Sequence, residues 1–287
     1  MTALDLGATL FIPATHKNLE DILYRKKHTN LKSLLIDTED SLDSLEEGLE
    51  VIQKLLKSYV KTNLLVFIRP RNPGVLKKIL LFENIHTLEG FILPKFSLAN
   101  ANDYLRLLEK SEHRIMPSIE GEELFNQGKL IQLKEVLFKY KYRIPLVRFG
   151  LEDMLRQLKM KRSCEDSIFD FSATASMLGI FIGVFKSAGY EISGGVYPCF
   201  KDDKGFIRDV FRDLREGLLS KTIIHPQQIE LFNIAYQVKQ SEYDDAQEIC
   251  NAQDVVFNQN NKMAEVPTMN AYAKQVLCRA KIYGIAK

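Results

Sequence analysis

The sequence has no hydrophobic run long enough to cross a membrane. Its longest apolar run, residues 177–185, falls well short of the roughly 20 residues that a spanning helix needs. The N-terminus also lacks the basic stretch followed by an apolar stretch that marks a secretory signal peptide. We therefore expect a soluble, cytoplasmic protein that does not bind a membrane.

An excess of charge of one sign is missing as well. The 287 residues include 39 lysines and arginines against 37 aspartates and glutamates, which gives a formal net charge of +2. A balance this close gives no reason to expect nucleic acid as a partner. With 46% apolar and 26% charged residues, the composition is typical of a globular protein with a large core.

Cysteine is scarce. The four cysteines, Cys164, Cys199, Cys250 and Cys278, lie far apart in the sequence and form no C-x-x-C pair. Isolated cysteines in a cytoplasmic protein are usually reduced thiols. We therefore expect buried or incidental free thiols.

What the sequence does contain is a repeated alternation of short apolar segments and helical patterns. No glycine-rich phosphate turn follows the first segment, which argues against an open dinucleotide-binding sheet. Strands that alternate with helices form parallel sheets, and eight such strands close a barrel. The sequence therefore predicts an α/β fold, a (β/α)8 TIM barrel. The predicted strands are residues 9–12, 34–36, 64–68, 91–93, 115–119, 144–147, 192–196 and 222–224.

The last repeat, residues 193–228, has the clearest pattern. After a polar loop at residues 201–205, Phe206, Val210, Leu214 and Leu218 recur every four positions, which predicts an amphipathic helix. The strand at residues 222–224 should end at His225, because the residue before a proline is held extended and proline cannot donate to a ladder. A largely buried helix is predicted just before this repeat, at residues 171–188.

The pattern changes after residue 228. Helices are predicted at residues 228–239, 246–256 and 269–283, with a polar, asparagine-rich stretch at residues 258–262. We therefore predict a barrel domain at residues 1–228 and a C-terminal helical extension at residues 229–287. The extension would serve as a lid or as a contact between subunits.

Charged side chains follow most of the predicted strands, where the strands of a barrel point into one opening. Carboxylates on different strands, without histidine or cysteine ligands nearby, suit a hard ion such as Mg²⁺. A neighbouring arginine suits a substrate carboxylate, which its planar fork binds through two hydrogen bonds. The candidates are Glu39, Asp40, Arg69, Arg71, Lys95, Glu120, Asp153 and His225.

Ordinary structural roles are open to each of these residues. Asp153 could cap the short helix after Gly150. Glu39 and Asp40 could be acids that favour the positive end of a following helix. His225 could be a hydrogen-bonded residue that closes the floor of the barrel. Their shared position at strand ends favours a common site without naming a reaction.

A series of motifs does indicate a family. Residues 10–228 resemble the HpcH/HpaI aldolase and citrate lyase β-subunit superfamily. The similar segments, in the family's order, are LFIPATHKNLEDIL, LLIDTEDSL, IRPRN, FILPKF, PSIEG, FGLEDM, GGVYPCFKDDKGF and KTIIHPQQ. Each motif alone is weak, whereas the full series in the correct order is specific. Within the superfamily, the sequence looks most like the branch found with tellurite-resistance operons, which is predicted to consist of carbon–carbon bond lyases.

The resemblance implies roles for five of the candidates. Glu120 and Asp153 would be ligands of Mg²⁺. Arg69 would bind the substrate carboxylate and stabilise negative charge on the oxygen of the cleaved or forming bond. Glu39 and Asp40 would hold a water near the metal or shuttle a proton.

The remaining candidates would support the substrate. Lys95 and His225 would be polar groups at the rim, and Arg71 could replace Arg69 as the catalytic arginine if the IRPRN loop has shifted. The implied reaction is reversible aldol- or Claisen-type cleavage of a hydroxyacyl thioester or hydroxy acid. Its products would be an enolate and an oxo acid such as oxaloacetate or glyoxylate. Relatives form trimers or larger rings, so a homo-oligomer is expected.

Some residues depart from the family motifs. Gly121 replaces the threonine after the metal-binding glutamate, Cys199 replaces an acid, and Leu218 to Ser220 replace a Gly-Phe-Asp-Gly segment, although Lys221 is retained. These changes put a coenzyme A thioester substrate in question and leave two alternatives open. One is a barrel that has lost catalysis and acts as an interaction module in a stress-response assembly. The other is a pyruvate-type class II aldolase, although the second strand end offers no histidine base.

Overall fold

A computed structural model describes residues 1–286 of the protein. The chain divides into two compact units, Met1–Ile229 and Glu230–Lys287. Among the described residues, no helix has both the length and the apolar character needed to cross a membrane.

Seven parallel strands form one curved sheet within residues 1–286, in the order β6-β5-β4-β3-β2-β1-β7. The strands are β1 (Ala8–Pro13), β2 (Ser33–Asp37), β3 (Leu65–Arg69), β4 (Gly90–Leu93), β5 (Arg114–Ile119), β6 (Arg148–Phe149) and β7 (Lys221–Ile223). The helices up to the end of this sheet are α1 (Ala3–Leu6), α2 (Leu19–Leu23), α3 (Leu45–Ser58), α4 (Pro73–Ile79), α5 (Ala101–Leu108), α6 (Gln127–Phe138), α7 (Leu151–Gln157), α8 (Ser172–Ser187) and α9 (Asp203–Arg215). A further helix, α10 (Gln227–Ala235), follows β7.

The gap between β6 and β7 is closed by a short segment rather than by a regular eighth strand. Ile192 forms a parallel bridge to Val147, and Gly194 forms one to Lys221. The predicted strand at residues 192–196 is thus wrong as a continuous strand, although its first residues complete the barrel. Adjacent glycines weaken a strand because they have no side chain to pack. A Cβ at Gly194 would lie only 2.0 Å from Oδ2 of Asp213, so the backbone can pass there only as glycine.

Three further sequence predictions need correction. β6 begins at Arg148, just past the predicted residues 144–147, because an apolar run marks burial rather than ladder pairing. α9 begins inside the predicted polar loop, because the Asp202 side chain caps it by accepting from the Gly205 N–H at 2.9 Å. α8 is buried along one face only, at Thr174, Leu178, Phe181 and Phe185.

The second unit is not purely helical. It contains β8 (Val238–Lys239), α11 (Gln240–Asn251), β9 (Val256–Gln259), β10 (Lys262–Glu265), α12 (Val266–Tyr283) and β11 (Ile285–Ala286). β9 and β10 form an antiparallel hairpin where the end of a helix and a polar stretch were predicted. Asn260 and Asn261 make its turn, with φ of 52° and 61°, a left-handed conformation that asparagine tolerates well. The core of the second unit is Val238, Ala246, Ile249, Ala273, Val276 and Ala280.

Two of the four cysteines form a disulfide, Cys164–Cys199, so the prediction of free thiols is wrong for this pair. Cys250 and Cys278 are free. The pairing could not be predicted from the sequence, because the partners are 35 residues apart and lie in loops on either side of α8. The bond joins the loop after α7 to the loop before α9.

Removing this disulfide should destabilise the barrel unit. In the chain-entropy account, a cross-link that closes a loop of about 35 residues stabilises the folded state by roughly 2–4 kcal/mol. We expect the Cys164→Ser, Cys199→Ser double variant to lose that amount in urea unfolding. The matched control is Cys278→Ser, an exposed free cysteine, which should unfold like the wild type. A double variant as stable as this control would contradict the prediction.

Candidate active site

A cavity of about 200 Å³ lies at the carboxyl ends of the barrel strands. Because all seven strands are parallel, the residues that end them lie at the same end of the barrel. Phe11 of β1, Arg69 of β3, Ser118 of β5 and Arg148 of β6 line the cavity. Glu120, which follows β5, and Asp153, in the first turn of α7, complete its polar wall.

Arg69 is held by two acids from the neighbouring strand end. Its Nε and Nη2 donate to the two carboxylate oxygens of Asp37 at 2.6 and 2.8 Å. Its Nη1 lies 2.9 Å from Oε2 of Glu39. Asp37 and Arg69 are register partners at the ends of β2 and β3, so the fork follows directly from the sheet. The guanidinium is therefore fixed in orientation before any ligand binds.

Burial and charge shift these groups in different directions. Burial alone would raise the pKa of Asp37, but the hydrogen bonds and charge of Arg69, together with the Ser41 hydroxyl, outweigh it and lower that pKa. Burial also raises the pKa of Glu39, and there its effect is larger than the opposing effects of Arg69 and Lys95. Asp37 is thus a fixed anion, whereas Glu39 is the more readily protonated of the two.

Three other predicted residues lie at the rim of this cluster. The half-exposed Lys95 places its Nζ 2.8 Å from Glu39 and 3.4 Å from Asp40. Asp40 is 65% exposed. Arg71 is exposed and donates to the backbone oxygen of Glu39 at 2.9 Å. Of the two candidate arginines, Arg69 is therefore the one that lines the cavity.

Glu120 is a buried carboxylate with no cation within 4 Å among residues 1–286. Burial raises its pKa to about 7, the carboxylates of Glu39 and Asp153 push in the same direction, and the Ser118 hydroxyl and Arg69 oppose them. A Cβ at position 150 would lie 2.3 Å from Cγ of Glu120, so only Gly150 leaves room for this side chain. Glu120 is thus a confined carboxyl group that lacks a counter-ion in the described chain.

Asp153 lines the same cavity and is close enough for its charge to act on Glu120. Its only ion pair in the described chain is with Arg156, which is 73% exposed and so contributes little. Asp153 does not cap α7, whose N-cap is Gly150 without a side-chain hydrogen bond. No cluster of three or more histidine, cysteine or acidic side chains suited to a metal occurs in residues 1–286. Mg²⁺, however, is commonly held by one or two carboxylates with waters and substrate, so Glu120 and Asp153 fit it.

The lining of the cavity does not include His225, nor does it include four residues of the cluster around Arg69, which are Glu39, Asp40, Arg71 and Lys95. The ring of His225 stacks on Phe200 with 4.7 Å between centroids, and its Nδ1 accepts from the Gln227 N–H at 3.3 Å. Gln228 fixes this corner, since its side-chain oxygen accepts from the N–H groups of Ile224 and His225 at 2.9 and 3.2 Å. The structure thus places His225 in the turn after β7, outside the cavity wall.

Sequence reasoning missed two residues of the site, Asp37 and Arg148. Asp37 ends β2 and Arg148 begins β6, and both were read as markers of a strand boundary. Each directly follows a predicted strand, at residues 34–36 and 144–147, so the rule that singled out Arg69, a charge at the end of a predicted strand, would have found both.

Comparison with known proteins identifies the family. A family model for C–C bond lyases of the TIM-barrel fold matches residues 1–285. The chain belongs to this family. The predicted superfamily and the α/β TIM-barrel fold are thereby confirmed, and so, at the level of the family, is the prediction of a lyase enzyme.

Individual relatives are more distant. Citrate lyase subunit beta of Escherichia coli K12 is 28% identical over 146 residues, which are 48% of this chain and 46% of that protein. The match thus spans about half the length of this curated relative.

Two solved structures share the fold of almost the whole chain. A citrate lyase from Burkholderia xenovorans LB400 superposes with a TM-score of 0.77 at 18% identity, covering 98% of this chain and 93% of that one. Protein CitE from Mycobacterium tuberculosis, in complex with magnesium, acetoacetate and coenzyme A, gives 0.70 at 16%, covering 97% and 99%. At such low identity, the likeness shows the barrel fold alone.

Proposed function

We propose that this protein is a Mg²⁺-dependent carbon–carbon bond lyase. It would reversibly cleave a hydroxyacyl thioester or hydroxy acid to an enolate product and an oxo acid. The observation that carries the proposal is the buried Glu120 carboxylate, which has no cationic partner in the described chain and faces the same cavity as Asp153 and Arg69. The magnesium, acetoacetate and coenzyme A held by the Mycobacterium tuberculosis neighbour support this class of ligand.

The acidic residues would hold the ion, and the arginine would hold the substrate. Glu120 and Asp153 supply one carboxylate each, from β5 and α7. Mg²⁺, when bound, would act as a Lewis acid toward the carbonyl that forms during cleavage and would help to orient the oxo acid. Arg69 binds the substrate carboxylate and stabilises the negative charge that develops on the reacting oxygen.

Glu39 is better placed than Asp40 to handle the proton. Burial raises the pKa of Glu39, which favours proton uptake from the substrate hydroxyl, and Arg69 contacts it directly. Asp40 is exposed at the rim beside Lys95. Asp37 keeps Arg69 aligned and ionised through the bidentate pair. When the hydroxyl proton leaves, the bond between the carbons breaks and its electron pair forms the enolate.

The metal assignment predicts a linked change in stability. An ion that binds only the folded protein raises the free energy of unfolding by about 2.7 kcal/mol at 100 times its Kd. We expect Mg²⁺ to raise the melting temperature of the wild type, and Glu120→Gln and Asp153→Asn to abolish that rise. Glu122→Gln is the matched control, because Glu122 is an exposed acid two residues away that pairs with Lys129. Unchanged Mg²⁺ responses in the two ligand variants would contradict the proposal.

Several finer expectations remain predictions. These are a coenzyme A thioester as the substrate, a homo-oligomer of three or more subunits, an association with tellurite resistance, a cytoplasmic location, and a C-terminal unit that acts as a lid or subunit contact. The alternative of a non-catalytic interaction module is separated from the lyase by turnover. Such a module would cleave no hydroxyacyl thioester or hydroxy acid and would be recovered with stoichiometric partners in a pull-down.

A further inference from the structure

Arg148 is a buried arginine without an acidic partner. Arg148 is 4% exposed, and no carboxylate lies within ion-pair distance of it in residues 1–286. Its guanidinium donates only to hydroxyls, at 2.8 Å to Thr222, 3.1 Å to Thr9 and 3.3 Å to Ser193. Every other buried arginine of the described barrel has a carboxylate or backbone oxygens as partners.

The hydroxyls leave part of the guanidinium unused. An arginine has five N–H donors, and three of those of Arg148 are accounted for. Its Nε has no hydrogen-bond partner among the described residues. A buried charge that is neither paired nor fully hydrogen-bonded is costly, and such groups are usually functional or matched by an ion.

The position of Arg148 shows that an anionic partner would approach it from the cavity. Arg148 lines the same cavity as Arg69 and Glu120. The guanidinium groups of both arginines contact the ring of Phe11, whose centroid is 5.6 Å from the guanidinium of Arg69 and 5.5 Å from that of Arg148. The cation of Arg69 has two acidic partners within the chain, whereas that of Arg148 has none and would attract a further anion from the cavity.

We infer that Arg148 is the specificity-determining residue for a second carboxylate on the ligand. This inference rests on the proposed function and narrows its substrate class to an acid whose oxo-acid product is a dicarboxylate. One carboxylate would bind at the Arg69 end of the cavity and the other would bind Arg148 at its inner end. A monocarboxylic oxo acid would leave the Arg148 charge unmatched, and the site would discriminate against it.

Oxaloacetate and pyruvate are suitable probes because they differ by one carboxylate. Isothermal titration in the presence of Mg²⁺ should show that the wild type binds fresh oxaloacetate about 10- to 100-fold more tightly than pyruvate, the range expected for a charged hydrogen-bonded contact. Arg148→Met should lose this preference through weaker binding of oxaloacetate, with pyruvate unchanged. Arg148→Lys, which keeps the charge without the planar fork, should retain part of it. Thr222→Val removes one hydroxyl partner and should keep most of the preference.

Each outcome decides the inference. Equal affinities of the wild type for the two acids would overturn it without any variant. A preference that survives in Arg148→Met would also overturn it, and Arg148 would then be a structural tie between strands. If Glu120→Gln still binds Mg²⁺ but the preference depends on Arg148, the proposed metal site fails and the inference stands. If Mg²⁺ binding needs Glu120 and no variant changes the preference, the inference alone fails.

Discussion

Arg69→Met is expected to lower kcat/KM by about 10³-fold on any hydroxyacyl thioester or hydroxy acid that the wild type cleaves. In the proposed mechanism the guanidinium neutralises charge on the reacting oxygen, and it is held in place by the two hydrogen bonds to Asp37. Coupling release of the oxo acid to a dehydrogenase gives the rate. Because the variant leaves buried Asp37 without its cation and Glu39 with Lys95 alone, its unfolding must be measured alongside the rate.

Two further variants separate catalysis from folding. Arg71→Met is the matched control, since Arg71 is an exposed arginine two residues away that contacts only the Glu39 backbone oxygen among the described residues. It should keep nearly full activity. Arg69→Lys keeps the charge but cannot form the bidentate fork, so it should fold better than Arg69→Met and remain slow. If Arg71→Met were as inactive as Arg69→Met, the assignment of Arg69 would be wrong.

The largest effect on stability is expected at Lys221, far from this chemistry. Its Nζ lies 2.7 Å from Asp209 and 2.6 Å from Asp213, and Arg162 pairs with Asp209 at 3.0 Å. All four groups are buried, at the amino end of β7. Lys221→Met leaves Asp213 without a cation, whereas Asp209 keeps Arg162. Stranding a buried charge in this way typically costs about 3–5 kcal/mol. Urea unfolding at neutral pH measures the loss.

The pH dependence of this loss has a definite sign. Burial already raises the pKa of Asp213, and removing the lysine raises it further, so the folded variant keeps a proton that the unfolded chain has released. That contribution to stability is present at low pH and is lost as the pH rises. The deficit of Lys221→Met should therefore be larger at about pH 8 than at about pH 5.5. Adding Asp213→Asn removes the stranded charge and should recover part of the stability at about pH 8; no recovery would contradict the ion-pair account.

The sequence was sufficient for the barrel and for three charged residues of the cavity wall, because both follow from strand ends. Arg69, Glu120 and Asp153 follow apolar runs whose parallel packing brings their side chains to one opening. Asp37 and Arg148 were missed since each was counted as the boundary of a strand. Arg148 hydrogen-bonds to Thr9 and Thr222, which are distant from it in the sequence, so the sequence alone does not show which partners surround its charge.

Other features depend on contacts that no local pattern encodes. The disulfide joins loops separated by α8, and the asparagine hairpin looked like a polar linker because its strands are mostly exposed. The position of β6 was misjudged because its inward residue is a charged arginine rather than an apolar one. The burial of apolar side chains predicts helices and strands well. Whether a charged side chain has a partner depends on contacts between residues that are far apart in the sequence.

Crystals soaked with Mn²⁺ and oxaloacetate test the central claim most directly, because Mn²⁺ replaces Mg²⁺ and can be located by anomalous scattering. The account predicts one strong peak in the cavity, at about 2.0–2.2 Å from carboxylate oxygens of both Glu120 and Asp153. A peak elsewhere, or none in the cavity while the oxo acid is bound, would contradict it.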